Sequence, residues 1–360
     1  MIVREIALRG FRNHGSTRFE LGSGVNIICG PNGRGKTNLL EAIYMLSGVR
    51  SWRTGQRREL IGWESGLARI EAVVSARGRD YEIVLTLPRA GAMSATVNGV
   101  KVSRQNPLSD IFRGVLFSPE DLMLVKGPPT LRREFIDGAL SQLRPRYAAM
   151  LGRYHKVLLS KGRLLRQAQE NHKLLNLLPE YDAQLVEYGA SLIGYRAEFC
   201  ALLARGAGQV QQEISGGREA LEVVYKTVST VERPDAEIET VRAWLREHLA
   251  RHSEVEQAAG ACLSGVHRDD LLISIGGQPA RAYASQGQAR SAALALRFAQ
   301  REIFMEDLGE HPVLLLDDVL SELDEGRRAY VCRGLCEGQT ILTCCTPEQG
   351  FEGAAKRIEI

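Results

Sequence analysis

Residues Gly30-Pro31-Asn32-Gly33-Arg34-Gly35-Lys36-Thr37 fit the pattern G-x-x-x-x-G-K-[S/T]. Glycines at this spacing let successive backbone N–H groups converge on phosphate oxygens, and a helix starting at the lysine adds the positive end of its dipole. The lysine reaches the β- and γ-phosphates, and the hydroxyl after it is a ligand for Mg²⁺. The flanks suit such a loop. The apolar run Val25 to Cys29 predicts a buried strand before it, and Leu39 to Leu46 predicts a helix after it. The chemistry indicated is binding of a nucleoside triphosphate with Mg²⁺.

Far along the chain, Val313-Leu314-Leu315-Leu316-Asp317-Asp318 reads as a central strand with Asp317 at its carboxyl end, where open α/β sheets bind ligands. Asp317 is expected to join Thr37 in holding Mg²⁺, and Asp318 to orient the attacking water, so these two acids are the catalytic candidates. Ala284-Ser285-Gln286-Gly287-Gln288 opens an Ala/Leu-rich helix, whose hydroxyl and free amides make a second anion site. The phosphate loop already surrounds its own triphosphate. A second phosphate-seeking helix start is most simply explained by a γ-phosphate held by another copy of the chain, which implies a nucleotide-dependent homodimer. A plain serine cap at Ser285 is the alternative.

These residues must be positioned by a chain of 360 residues and 39.8 kDa, 44% hydrophobic and 25% charged, which is enough for two domains and a full core. No apolar run approaches the roughly 20 residues of a membrane span, and Met1-Ile2-Val3-Arg4-Glu5 does not read as a secretion signal. A cytoplasmic protein without membrane association is expected. The seven cysteines contain no CxxC and read as reduced thiols.

Short strands are predicted at Ile2 to Leu8, Ala68 to Ser75, Tyr81 to Leu87 and Ala95 to Val102, the last with an Asn98-Gly99 hairpin turn. Two stripes, Tyr147-Leu151-Tyr154-Leu158-Leu165 and Tyr181-Leu185-Tyr188-Leu192-Tyr195-Phe199-Leu202, predict a helical hairpin turning at Asn171 to Pro179. At 1.5 Å per residue its arms are about 30 Å long; two ordinary core helices of a compact lobe are the alternative. Strands then alternate with helices: Leu221 to Val228, Ala236 to Gln257, Leu271 to Ile275, Gln288 to Met305, Glu325 to Cys336 and Gln339 to Thr343. That order predicts a parallel sheet covered on both faces. The expected organisation is a head built from residues 1–122 and 258–360 with a helical arm, 123–257, inserted between.

Of the 46 basic residues 38 are arginine, which genomic base composition explains as readily as nucleic-acid binding does. One stretch is more pointed. Arg132, Arg133, Arg144, Arg146, Arg153, Lys156, Lys161, Arg163 and Arg166 stand against only Glu134 and Asp137. Surface helices normally mix signs, so these residues, Lys161 apart, are the candidate DNA contacts, with a solvated helix face as the alternative. A second cluster, Arg50, Arg53, Arg57 and Arg58, flanks Trp52. His267, Asp269 and Asp270 are expected to be structural.

The three phosphate motifs combine as in ABC-type ATPases. Ser285-Gln286-Gly287-Gln288 resembles their signature, acting in trans, and Ser321-Glu322-Leu323-Asp324 resembles the D-loop, with Ser321 and Asp324 as its candidate site residues. A head split by about 250 residues is similar to the SMC branch, without the cysteine hook of its break-repair members. Within that branch Phe11-Arg12-Asn13, Phe117-Ser118-Pro119-Glu120-Asp121-Leu122, Arg132-Arg133-Glu134-Phe135-Ile136-Asp137, His267-Arg268-Asp269-Asp270-Leu271 and Leu316 through Asp324 resemble the RecF family of bacterial replication and repair proteins. The resemblance implies an α/β, P-loop ABC/SMC-type ATPase head with an inserted helical arm, and it adds Arg12 and Asn38 to the nucleotide site. It also implies an ATP-dependent dimer on double-stranded or gapped DNA, with RecR and RecO as partners, helping RecA load on strands coated by SSB. Asp318 stands where transporters carry glutamate, no switch histidine accompanies Thr343-Cys344-Cys345-Thr346, and Glu120 occupies the place of the γ-phosphate sensor. A weak, DNA-stimulated ATPase used as a conformational switch is therefore expected. The rivals are a transporter ATPase, which needs no basic arm, and a monomeric kinase, which needs no Ser285.

Overall fold

The computed structural model describes residues 1–102, 108–319, 323–335, 337–344 and 355–360. Strand β1 (Ile2–Phe11) buries Val3, Ile6, Leu8 and Phe11 and pairs antiparallel with β2 (His14–Glu20). After β2 come β3 (Val25–Cys29) and helix α1 (Lys36–Met45). Then β4 (Leu67–Ala76), β5 (Arg79–Pro88), β6 (Ser94–Val97) and β7 (Val100–Lys101) extend the antiparallel sheet in the order β2-β1-β4-β5-β6-β7. Strand β4 shows why: Ala68, Ile70, Ala72, Val74 and Ala76 are all buried at period two, so one face must pack inward. Each fully buried Ile or Leu of this face contributes about 1.5–3 kcal/mol. Asn98 and Gly99 turn β6 into β7 with φ of 48° and 78°, the left-handed pair a two-residue hairpin requires. Strand β8 (Gly114–Phe117) closes this third of the chain.

The middle is mainly helical: α2 (Leu122–Lys126), α3 (Pro129–Leu143), α4 (Pro145–Ala168) and α5 (Leu178–Ser215), then β9 (Leu221–Lys226), α6 (Ile238–Ala259), β10 (Asp270–Ile275), β11 (Gln278–Pro279) and α7 (Ala280–Tyr283). The last part holds α8 (Gln286–Leu308), β12 (Val313–Asp317), α9 (Glu325–Gly334), β13 (Thr340–Cys344) and β14 (Lys356–Glu359). A five-stranded parallel sheet runs β14-β3-β13-β12-β8. Every residue of β3, β12 and β13 is buried, the pattern of strands covered on both faces.

Packing divides the chain into two units, one of Met1–Leu122, Val210–Arg218 and Arg290–Ile360, the other of Met123–Gln209 and Glu219–Ala289. Residues 258–289, which the sequence order groups with the chain ends, lie with the helices because β10 pairs antiparallel with β9 over six residues. The strands at 221 and 271 are thus not part of the parallel sheet but of a small sheet of their own, β11-β10-β9. The helical stripes are α4 and α5, joined by a 3₁₀ segment at His172–Leu177. They do not stand as a bare hairpin. Helix α6 packs on α4, and α3 packs on both α4 and β10.

Within this second unit much of the basic run turns inward. Arg132, 4% exposed, grips Asp270 with two hydrogen bonds of 2.7 and 3.0 Å and also donates to the carbonyls of Leu124 and Gly127. Arg133 donates to the Asp269 carbonyl. Lys161 is buried between Asp182 and Glu256, at 2.6 Å from each. Arg196, from α5, holds Asp137 at 2.8 Å and Asp269 at 2.7 Å, and Asp269 also accepts from Thr227 and Tyr225. Burial pushes the Asp269 carboxyl up, and the Arg196 charge and these hydroxyls oppose it. His267 meets the Tyr154 hydroxyl at 3.0 Å, and burial, with the Arg268 charge, pushes it down to about 4. The His267-Asp269-Asp270 trio is therefore a structural clamp, and no cluster of three metal-ligating side chains occurs among the described residues.

Candidate nucleotide site

The loop after β3 is glycine-dependent at defined places. A Cβ on Gly30, at φ 154°, would lie 2.4 Å from the Ile360 carbonyl oxygen, and one on Gly35, at φ 108°, would lie 2.7 Å from Asn13 Oδ1 and His14 Nε2. The β1–β2 turn props the loop. Asn13 Nδ2 donates to the Gly33 carbonyl at 3.1 Å, the ring of His14 donates to the Gly35 carbonyl at 3.1 Å, and Asn38 Nδ2 donates to Asn13 Oδ1 at 2.7 Å. Burial pushes the His14 pKa below 6.5. Lys36 Nζ donates to the carbonyls of Gly30 (2.6 Å) and Pro31 (3.2 Å). Pro31, Asn32, Gly33 and Arg34 are exposed, so the loop presents its backbone outward around a fixed ammonium.

Strand β12 brings the acids to it, and β13 holds them in place. Thr37 Oγ1 donates to Asp317 Oδ1 at 2.9 Å, across 280 residues of sequence. Thr343 Oγ1 donates to the same oxygen at 2.8 Å and accepts from the Asp318 N–H at 3.0 Å. Burial pushes the Asp317 carboxyl up; the Thr343 and Thr37 hydroxyls lower it and the Glu120 charge raises it further. A hydroxyl and a buried carboxylate side by side are hard oxygen donors of the kind that suits Mg²⁺, which takes one or two protein ligands and completes its shell with water and phosphate. Asp318 sits at φ 50°, in the left-handed region where a non-glycine residue is uncommon. No local feature of the sequence marks Thr343 as a functional residue. Its role follows from the register Asp317↔Thr343, and only knowledge of strand order reveals it.

Other candidates are placed differently. The Arg12 guanidinium is committed to the buried Glu41 through Nε (2.8 Å) and Nη2 (2.7 Å), while Nη1 donates to the Glu59 carbonyl. It braces α1, and its neighbours Asn13 and His14 touch the loop. Arg53 of the second basic cluster reaches Asn38 Oδ1 at 2.6 Å. Ser285 and Gln288 cap α8 reciprocally: the Ser285 N–H donates to Gln288 Oε1 at 2.9 Å, and the Gln288 N–H to Ser285 Oγ at 3.2 Å. Ser285 and Gln286 are exposed, and Lys126 binds the carbonyl of Ala284 beside them. Asp324 caps α9 by accepting from the Arg327 N–H, whereas Ser321 lies outside the described residues. Of the candidate DNA contacts, Arg146, Arg153, Lys156, Arg163 and Arg166 are exposed on α4, Arg144 is half-buried, and Arg132 and Arg133 are drawn into the clamp.

The family model described as RecF/RecN/SMC N terminal domain matches residues 2–360. The DNA replication and repair protein RecF of Clostridium tetani (strain Massachusetts / E88) is 36% identical over 346 residues, 96% of this chain and 93% of its own. That of Bacillus cereus (strain B4264) is 36% identical over 354 residues, 98% and 94% of the two chains. The chain belongs to the RecF family. Two solved structures of the recombination mediator RecF in the RecFOR pathway, one with ATP, superpose with TM-scores of 0.92 and 0.90 at 34% and 33% identity, covering 99% of this chain and 95% and 96% of theirs. The Smc head domain from Pyrococcus furiosus shares the fold, with a TM-score of 0.52 at 16% identity. Membership in RecF makes this a DNA replication and repair protein with an SMC-type ATPase head, not a transporter ATPase. No described helix is long and apolar enough to cross a membrane.

Proposed function

We propose that this RecF chain binds ATP with Mg²⁺ at Gly30–Thr37, dimerises on it through the Ser285 loop of a second copy, and in that state engages DNA. The observation that carries the reading is the convergence of Lys36, Thr37, Asp317 and Thr343 at the carboxyl edge of the parallel sheet. Lys36 exchanges the Gly30 and Pro31 carbonyls for phosphate oxygens, and the loop amides surround the triphosphate. Thr37 and Asp317 would hold the Mg²⁺, which would supply positive charge against the phosphates. Asp318 orients the attacking water, and its short side chain makes hydrolysis a slow reset of the dimer. The solved relatives act in the RecFOR pathway, which supports RecO and RecR as partners.

Solution mass measured by light scattering tests the switch. A doubling with ATP and Mg²⁺, absent with ADP or without nucleotide, is expected, and Ser285→Arg should keep the chain monomeric while leaving ATP binding intact. A mass that never changes would reduce Ser285 to the helix cap its hydrogen bonds already make.

The DNA surface we assign to α4. Its 24 residues include no Asp or Glu, and five of its cations are exposed. Arg153→Glu combined with Lys156→Glu should weaken duplex binding without regard to sequence. The loss of two phosphate contacts should lower the slope of log K against log salt by about 2. Titration of a fluorescent duplex over a salt series checks this; an unchanged slope would move the DNA off α4.

A further inference from the structure

The thiols of Cys29 and Cys344 lie 3.3 Å apart, at positions paired in register on β3 and β13. Both are buried, and nothing in the nucleotide chemistry uses them. Neighbouring strands hold register partners about 4.8 Å apart, inside the Cα separation of about 4.4–6.8 Å that a disulfide spans. Cys29 is the last residue of β3, directly before the phosphate loop. Cys344 follows Thr343, whose hydroxyl holds both Asp317 and the Asp318 N–H. Cys29 retains 7% exposure against 3% for Cys344, and the exposed loop residues begin two positions after it. A small oxidant arriving through the loop therefore meets Cys29 first.

We infer that Cys29 and Cys344 form a peroxide-sensitive dithiol whose oxidation ties the floor of the phosphate loop to the strand carrying Thr343 and lowers ATP affinity. The Cys29 thiolate attacks one peroxide oxygen, the O–O bond breaks, and a sulfenic acid forms with release of one water after proton uptake. The Cys344 thiolate then attacks the sulfenic sulfur, the S–S bond forms, and a second water leaves. Two thiols are oxidised by two electrons while one hydrogen peroxide is reduced to two waters. The loop has little slack to absorb the new bond, because the Ile360 carbonyl fills the space beside Gly30 that a Cβ would need. A shift of β13 also moves Thr343 away from Asp317. The effect on ATP rests on the nucleotide site proposed above, whereas the bond itself does not.

The test treats the full chain with hydrogen peroxide, blocks remaining thiols with N-ethylmaleimide, and maps the digest by mass spectrometry beside titration with a fluorescent ATP analogue. A linked Cys29–Cys344 peptide is expected, with affinity about tenfold weaker and restored by dithiothreitol. Saturating ATP and Mg²⁺ should slow formation of the link. Cys344→Ala should bind ATP as the reduced native chain does and lose its peroxide sensitivity; Cys29→Ala provides the same control if the first variant folds poorly. Cys29 remaining open to alkylation, or pairing with a different cysteine, overturns the inference, as does a linked chain with unchanged affinity. If the reduced chain does not bind ATP, the nucleotide reading fails, and the mass of the linked peptide still decides the dithiol.

Discussion

Replacing Lys36 with alanine should weaken ATP binding about a hundredfold, since charge-assisted hydrogen bonds are worth about 1.5–3 kcal/mol each and the ammonium supplies more than one. Its Nζ now bridges the carbonyls of Gly30 and Pro31 from a buried position, so the readout must separate nucleotide binding from stability of the apo protein. The clean readout is thermal unfolding with and without nucleotide. At ATP a hundred times above Kd the native chain gains about 2.7 kcal/mol by mass action, and the variant should show almost none of that rise. A variant that kept the ATP-induced shift would mean that the triphosphate sits elsewhere.

The second large effect has nothing to do with nucleotide. Arg196→Met removes the cation between Asp137 and Asp269, where Arg196 is 2% and Asp269 1% exposed at the side chain. Breaking a buried pair from one side leaves uncompensated charge and costs about 3–5 kcal/mol. Urea unfolding should show a sharply lower midpoint. Adding Asp269→Asn should recover part of the loss, because the orphaned carboxylate is then neutral. Equal midpoints for native and variant chains would mean that the clamp carries no weight.

That clamp also marks where sequence reading stops. The phosphate loop, the acid-ended strand and the two long helices were legible because each announces itself locally, through spacing, an apolar run or a helical stripe. The fate of Arg132 was not. It reads as one of nine cations in a row, and its partner Asp270 lies 138 residues further on; sign counting along the chain cannot see such a pair. Exposure separates the run afterwards: the five α4 cations stay outward, while Arg132 and Lys161 turn in. The pairing of Arg12 with Glu41, on the far side of the loop in sequence, is equally invisible to local reading. Thr343 was invisible for a topological reason. A threonine ending an apolar strand is ordinary until the register with β12 places it on Asp317.

Strand order has a consequence for how the protein is made. The phosphate-loop strand β3 is flanked by β13 and β14, residues 340–344 and 356–359. A nascent chain exposes the complete loop sequence early, yet the loop has no seat until residues 340–359 have also left the ribosome. The antiparallel sheet needs only partners from the first 101 residues and is free to assemble during that wait, as N-terminal units generally do. The nucleotide pocket then matures after the antiparallel sheet. ATP cannot template early folding, and a truncated translation product lacks the site altogether instead of carrying a weakened one.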